Sequence, residues 1–319
     1  MMFGSNTLGN GWVVPADDAA ITAAAQLLRA GQIVAIPTET VYGLAADAQN
    51  AEAVARIYAA KGRPDFNPLI VHVRDRKAAE KLGVFNATAQ ALADAFWPGP
   101  LTLVLPLQPG APVARAVTAG LPTIAIRCPA HPVMQALLLK SDLSLAAPSA
   151  NRSGAISPTR ADHVLKGLRG AVPMILDGGP CSTGLESTIV AVRDDGWQVL
   201  RPGPVSAMEI EQMLGYPPLS LPSSAIEAPG QMASHYAPSK PVRLNVTVPE
   251  KGAYLIGFGA ITGDENLSAT GDLAQAAAHL FEALHNADAS LANIIAVAPI
   301  PHEGIGIAMN DRLARAAVR

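Results

Sequence analysis

The chain has 319 residues, half of them hydrophobic and only 15% charged, with a formal net charge of −3. That balance excludes a protein that grips nucleic acid with its whole surface, and no unbroken apolar run nears the roughly 18 residues of a membrane-spanning helix. The opening segment, MMFGSNTLGNGW, has neither a basic start nor an apolar core, so no secretion signal is expected and the cytoplasm is the expected location.

In chain order, Asp17 or Asp18 caps a helix running to about Ala30, where Gly31 ends it. QIVAIP reads as a strand, AEAVARIYAAKG as a helix ending at Gly62, and LIVHV as a strand. LTLVLPL, TIAIRC, MILD, STIVAVR and WQVLR are further strands, with helices around 88–96, 131–140, 159–166 and 205–214. This is an α/β (α+β) pattern, and late strands that follow one another without room for a helix predict a mixed parallel and antiparallel sheet. Between Tyr216 and Lys240, five prolines exclude a helix or central strand, so a linker is expected there. After it, VRLNVTV, AYLIGF and NIIAVAPI read as strands and GDLAQAAAHLFEALHNADA as a helix, a small α/β unit. The expected divisions are 1–215, 216–240 and 241–319.

Several stretches carry chemistry. In KGRPDFNPL, Pro64 forces Arg63 out of the helix, leaving Lys61 and Arg63 at a constrained turn. They read either as cations offsetting the helix dipole or as a seat for a polyphosphate. His72 follows within a strand, where a structural role and proton transfer both remain open. PTETVYG sets Thr38, Glu39, Thr40 and Tyr42 at the end of a strand, where open α/β sheets bind ligands. Strand alternation turns Thr123 and Arg127 to one face, and Arg127 suits a carboxylate. APSANRSGAISPT is either a phosphate seat at a helix N-terminus or a polar surface loop. In DGGPCSTGLEST, Gly179 and Gly184 have the P-loop spacing, but Leu185 replaces its lysine and a strand follows, so that reading fails. Cys128 and Cys181 fit no metal or redox spacing and are expected to be small buried side chains. The histidines show no metal-ligand spacing either, so no protein-built metal site is expected.

Taken in order, PTETVYGL, KGRPDFNPL, IRCP, PSANRSG, ESTIV and RPG resemble the YrdC-like L-threonylcarbamoyladenylate synthases. HYAP in the proline-rich stretch and GIGIAMNDRLARAA near the end resemble the family's longer, two-domain form. The resemblance implies a twisted mixed sheet around a concave, locally positive cleft, with 216–240 acting as a lid. It implies a nucleotidyltransferase that makes L-threonylcarbamoyl-AMP and pyrophosphate from L-threonine, bicarbonate and ATP. Mg²⁺ would be held mainly by the ATP phosphates. The product would pass to a downstream threonylcarbamoyl transferase that modifies the tRNA adenosine beside the anticodon, and the resemblance also admits weak RNA binding. By motif, Thr40, His72, Arg127, Ser149 and Ser187 look like threonine-side residues. Arg63, Asn67, Thr123, Asn151, Thr159, Arg201 and Tyr236 look like nucleotide-side residues. Lys61 and Arg63 would neutralise the triphosphate, and His72 would assist deprotonation of the amine.

Overall fold

A computed structural model describes residues 12–168, 170–220, 227–230 and 235–318. Strand β1 (Trp12–Pro15) precedes helix α1 (Asp18–Arg29), which Asp17 caps by accepting the Ala20 amide at 2.8 Å. Strands β2 (Val34–Ile36) and β3 (Gly43–Asp47) pair antiparallel. Helix α2 (Ala51–Lys61) is capped by Asn50 and stopped by Gly62 at φ 57°, a left-handed conformation that glycine enters without a Cβ clash. Then come β4 (Ile70–His72), the short α3 (Arg76–Ala79), α4 (Ala87–Phe96), β5 (Leu101–Pro106), the short α5 (Arg115–Thr118) and β6 (Thr123–Arg127). The larger unit ends with α6 (Pro132–Ser141), β7 (Leu145–Ala146), α7 (Ala161–Leu168), β8 (Met174–Asp177), β9 (Thr188–Arg193), β10 (Gly196–Arg201) and α8 (Ala207–Leu214).

These strands form one ten-stranded sheet in the order β1-β8-β2-β3-β7-β4-β6-β5-β9-β10, with parallel and antiparallel neighbours intermixed. One face of its middle packs on a helical core that includes Leu44, Val71, Leu103, Ile126 and Trp197. The opposite face carries Ile70, Val104, Ala125 and Ile189, over which Ala228 lies. Strand alternation separates the two sets, so β4 and β6 send their even-spaced neighbours, His72 and Arg127, to the Ala228 side.

The smaller unit comprises β11 (Val242–Arg243), β12 (Ala253–Gly257), β13 (Glu265–Asn266), α9 (Leu273–Ala289), β14 (Ile294–Val297) and α10 (Gly306–Ala317). Its strands are all parallel, in the order β11-β14-β12-β13. The core around Leu280, Phe281, Leu284 and Met309 continues into Val41, Ile156 and Leu185 of the larger unit, so the two units share apolar packing. Gly184 makes this approach possible. A Cβ there would lie 2.5 Å from the backbone of Ala277 and Ala278 on α9, and its φ of 73° is itself one that side chains resist.

Some boundaries depart from expectation. GLAAD is strand β3 rather than part of a loop, and β1, β7 and β13 were not anticipated. VRLNVTV is strand only at Val242–Arg243, because Asn245 turns to φ 59°. The helix expected from 159 begins at Ala161. Of 216–240, residues 221–226 and 231–234 lie outside the described residues, as does the opening segment 1–11. The described remainder of 216–240 contains neither helix nor strand, only a bridge pairing Ala237 with Ala155. Cys128 and Cys181 are both buried and unpaired with each other. Among the described residues no helix is long and apolar enough to cross a membrane.

Candidate active site

Strand register builds the floor of the site. His72 pairs with Arg127 across β4 and β6, and Arg127 with Thr102 across β6 and β5, which sets their side chains in a row on one face. Thr102 Oγ1 lies 2.7 Å from Ser187 Oγ at the mouth of β9. The Arg127 guanidinium donates to the Gly99 carbonyl (3.1 Å), Thr40 Oγ1 (2.8 Å) and Glu39 Oε1 (2.6 Å). The loop that delivers Thr40 and Glu39 is organised by Thr38, whose Oγ1 accepts from the amides of Thr40 and Val41. Burial, the largest single influence, would raise the Glu39 carboxyl, but the Arg127 charge and the hydrogen bonds to the carboxylate together outweigh it and hold the group below its ordinary value. Glu39 Oε2 is buried without a hydrogen-bond partner. Burial, reinforced by the Arg127 charge, pushes the His72 imidazole down to about 3, and its Nδ1 is likewise unpartnered.

The cations at the helix α2 terminus sit beside this floor. Lys61 is buried, and its ammonium donates to the carbonyls of Ser149 (2.5 Å) and Asn151 (2.6 Å), so it braces the PSAN turn. Burial drives its pKa well down, and Arg63 adds to the effect. Arg63 leaves the helix as Pro64 dictates, and its guanidinium donates to the carbonyls of Asn67 (3.2 Å) and Pro68 (2.8 Å). Burial lowers it to about 10. Arg201, at the end of β10, donates to the Ser187 carbonyl at 2.9 Å and to Ser187 Oγ at 3.2 Å, and burial again lowers its pKa. Among the described residues, none of Lys61, Arg63 and Arg201 forms an ion pair with a carboxylate. Buried charges are ordinarily paired, so three cations satisfied by neutral carbonyl and hydroxyl oxygens define a place that calls for an anion.

Most of these groups line a cavity that opens to solvent. Of the residues singled out from sequence, Thr38, Thr40, Arg63, His72, Arg127, Ser149, Ser187, Arg201 and Tyr236 line it. Lys61, Asn67, Asn151 and Thr159 stand outside the lining, behind its walls, and Asn151 and Thr159 each bury an oxygen with no partner. Thr123 shares a face with Arg127 but stands four residues away, roughly 13 Å along the strand, and does not line the cavity. Pro229, Gly230 and His235, from the stretch between the two units, also line it.

Three contributors carried no assigned site role from the sequence. Glu39 was visible as part of PTET but had no assigned partner. Glu186 lines the cavity immediately before Ser187, and its carboxylate bonds Ser157 Oγ at 2.5 Å and Arg312 Nε at 2.8 Å. His235 lines the cavity beside Tyr236, with burial pushing its imidazole down to about 3. The ion pairs Glu39–Arg127 and Glu186–Arg312 join residues far apart in the chain, and no local pattern marks them. Among the described residues no cluster of three or more histidine, cysteine or acidic side chains could hold a metal ion.

Residues 26–203 match the Sua5/YciO/YrdC family model, described as "Telomere recombination", and residues 205–318 match the threonylcarbamoyl-AMP synthase C-terminal domain. The chain is 42% identical to a threonylcarbamoyl-AMP synthase of Bacillus subtilis, covering 94% of both chains. Its structure resembles that of Pyrococcus abyssi Sua5 complexed with L-threonine, with a TM-score of 0.87, 36% identity and 98% of each chain covered. Escherichia coli YciO, at 21% identity and a TM-score of 0.55, shares the fold over 64% of this chain. The chain belongs to the Sua5/YciO/YrdC family, in the two-domain form that carries the threonylcarbamoyl-AMP synthase C-terminal domain.

Proposed function

We propose that this protein is a nucleotidyltransferase that condenses L-threonine, bicarbonate and ATP into L-threonylcarbamoyl-AMP, releasing pyrophosphate. The observation that carries the reading is the set of buried, carboxylate-free cations beside a floor built to meet an amino acid. The curated relative from Bacillus subtilis bears the corresponding name, and the Pyrococcus abyssi relative was solved with L-threonine.

In this reading the amino acid lies over β4 and β6. Arg127, held square by Glu39 and Thr40, takes the carboxylate, while Ser149 and Ser187 place the amine and hydroxyl. His72 is neutral at physiological pH and faces the amine as a hydrogen-bond acceptor. Its low pKa makes it an orienting group rather than a lasting proton carrier, which narrows the role expected from sequence.

The amine adds to bicarbonate with loss of water to give a carbamate. A carbamate oxygen then attacks the α-phosphorus, and the bond to the β-phosphate oxygen breaks as pyrophosphate leaves. No covalent enzyme intermediate is needed; positioning and charge neutralisation do the work. Arg63 and Arg201 would neutralise the triphosphate, and Lys61 would hold the Ser149–Asn151 turn against it. Asn67, Thr123, Asn151 and Thr159 complete the nucleotide side, with Tyr236 closing over it. Mg²⁺ belongs to the ATP phosphates and water in this scheme. The pocket's carboxylates are committed to arginines, so they do not form a protein-built metal site and no step is routed through one. The product would serve a threonylcarbamoyl transferase of tRNA modification in the cytoplasm.

The test is pyrophosphate release from ATP and Mg²⁺ by the purified chain, omitting threonine and bicarbonate in turn. Release that needs both supports the reading. Folded protein that turns over ATP equally well without threonine would defeat it.

A further inference from the structure

The smaller unit reaches into the site through one side chain. Arg312, on α10, is wholly buried, yet it does not line the cavity. Its Nε meets Glu186 Oε2 at 2.8 Å, its Nη2 donates to the Pro202 carbonyl at 2.8 Å, and its Nη1 meets the neighbouring Asp311 at 2.6 Å. Its guanidinium carbon also lies 5.2 Å from the centre of the Tyr236 ring, within cation–π range. Of these partners, all but Asp311 belong to the cavity wall or adjoin a residue of it. Glu186 precedes Ser187, Pro202 follows Arg201, and Tyr236 is itself part of the wall.

Tyr236 is the telling partner. Its φ is 63°, a left-handed conformation that a bulky side chain adopts only when its surroundings impose it. The ring is seated in the smaller unit's core, 5.8 Å from Phe281, while its edge faces the cavity. The buried hydroxyl lies beside Arg201. The guanidinium, from the smaller unit, thus holds Tyr236 of the connecting stretch and the Ser187–Arg201 wall of the larger unit in a single geometry.

We propose that Arg312 is a positioning residue for the synthase reaction, through which the C-terminal domain sets Tyr236, Ser187 and Arg201 in register around the nucleotide. The proposal rests on the function proposed above. Plain adhesion between domains would not need this arrangement. The shared apolar core already joins them, and a buried ion pair replaced by apolar side chains of similar volume commonly leaves stability unchanged or improved. What an apolar replacement cannot supply is a planar fork that fixes a carboxylate, a carbonyl and a ring together.

The experiment compares wild type with Arg312→Met, Arg312→Lys and the double variant Glu186→Gln/Arg312→Met. Its readouts are steady-state kinetics, calorimetry of threonine binding without nucleotide, and thermal unfolding. The expected result for Arg312→Met is a fall in kcat of roughly tenfold or more with threonine affinity kept within about threefold, the pattern of an interaction that matters during the reaction. Arg312→Lys, which keeps the charge but loses the fork, should recover only part of the rate. The double variant should lose little beyond the single one, because the two side chains act as a unit. Wild-type kcat and KM in Arg312→Met would overturn the proposal. So would threonine affinity and melting temperature falling in step with the rate, in Arg312→Met or, should that variant not fold, in Arg312→Lys. Inactive wild-type protein would instead count against the proposed function, which keeps the two failures apart.

Discussion

Replacing Arg63 by methionine separates a functional charge from a structural one. In the empty protein, burial lowers the guanidinium from its ordinary value to about 10, so holding it charged costs about 3 kcal/mol at about 1.4 kcal/mol per pH unit. Methionine removes that cost and keeps much of the apolar stem. What is lost is two hydrogen bonds to carbonyls. The Asn67 carbonyl keeps the Tyr58 hydroxyl at 3.1 Å, so of the two carbonyls only that of Pro68 loses its side-chain donor, at roughly 1–3 kcal/mol. The two effects nearly cancel, and the stability of the empty Arg63→Met protein should change by no more than about 2 kcal/mol. At about 2–4 °C per kcal/mol, its melting temperature should stay within about 8 °C of wild type. The ligand response should differ sharply. ATP with Mg²⁺ at about a hundred times its dissociation constant should stabilise wild type by about 2.7 kcal/mol and leave the variant nearly unmoved. Differential scanning calorimetry with and without nucleotide reads both quantities. A variant destabilised by about 4 kcal/mol or more that still binds ATP normally would refute the reasoning and make Arg63 a structural cation.

Three further outcomes follow from the geometry. Gly184→Ala should lower stability by about 1–3 kcal/mol from overpacking alone, because the new Cβ meets the α9 backbone at 2.5 Å; an unchanged urea midpoint would contradict the described interface. Glu39→Gln removes the carboxylate that faces Arg127 and should destabilise the empty protein by about 3 kcal/mol. Threonine should then give that variant a larger thermal shift than wild type, since the substrate carboxylate becomes the counter-ion; equal shifts would argue against Arg127 as the carboxylate seat. His72 and His235 are held near 3 in the folded chain against 6.5 when unperturbed, so protonation favours the unfolded state. Their contribution is complete above pH 6.5 and declines as pH falls toward 3, by up to about 1.4 kcal/mol per pH unit for each group. His72→Gln should flatten the urea midpoint-against-pH curve in that window, and an unchanged slope would show the imidazole to be freely protonated.

Much of the fold was legible because its signals are local. Asp17 before α1 and Gly62 after α2 mark ends through capping chemistry that involves only neighbouring residues. MILD reads as a strand from its apolar run alone. β3 was not legible because Gly43, Ala45 and Ala46 have little intrinsic preference for a strand; pairing with β2 and β7 makes it one. VRLNVTV misled because Asn245 adopts a left-handed turn that its β-branched neighbours conceal.

The site divides in the same way. Ser149, Ser187 and Arg201 could be named because each sits in a short motif, and Arg63 because a proline fixes its backbone. Their mutual geometry could not. Lys61 was expected to neutralise the triphosphate; that its ammonium also donates to two carbonyls of a turn remote in sequence could not be read from the chain. The pairs Glu39–Arg127 and Glu186–Arg312 depend on sheet register and domain docking, neither of which any window of the chain encodes.

The most direct test of the central claim is to supply ¹³C-bicarbonate with threonine, ATP and Mg²⁺ and to weigh the adenylate formed. The account predicts threonylcarbamoyl-AMP whose mass carries the isotope and whose appearance matches pyrophosphate release. An adenylate that lacks the label, or label-free threonyl-AMP in its place, would contradict it.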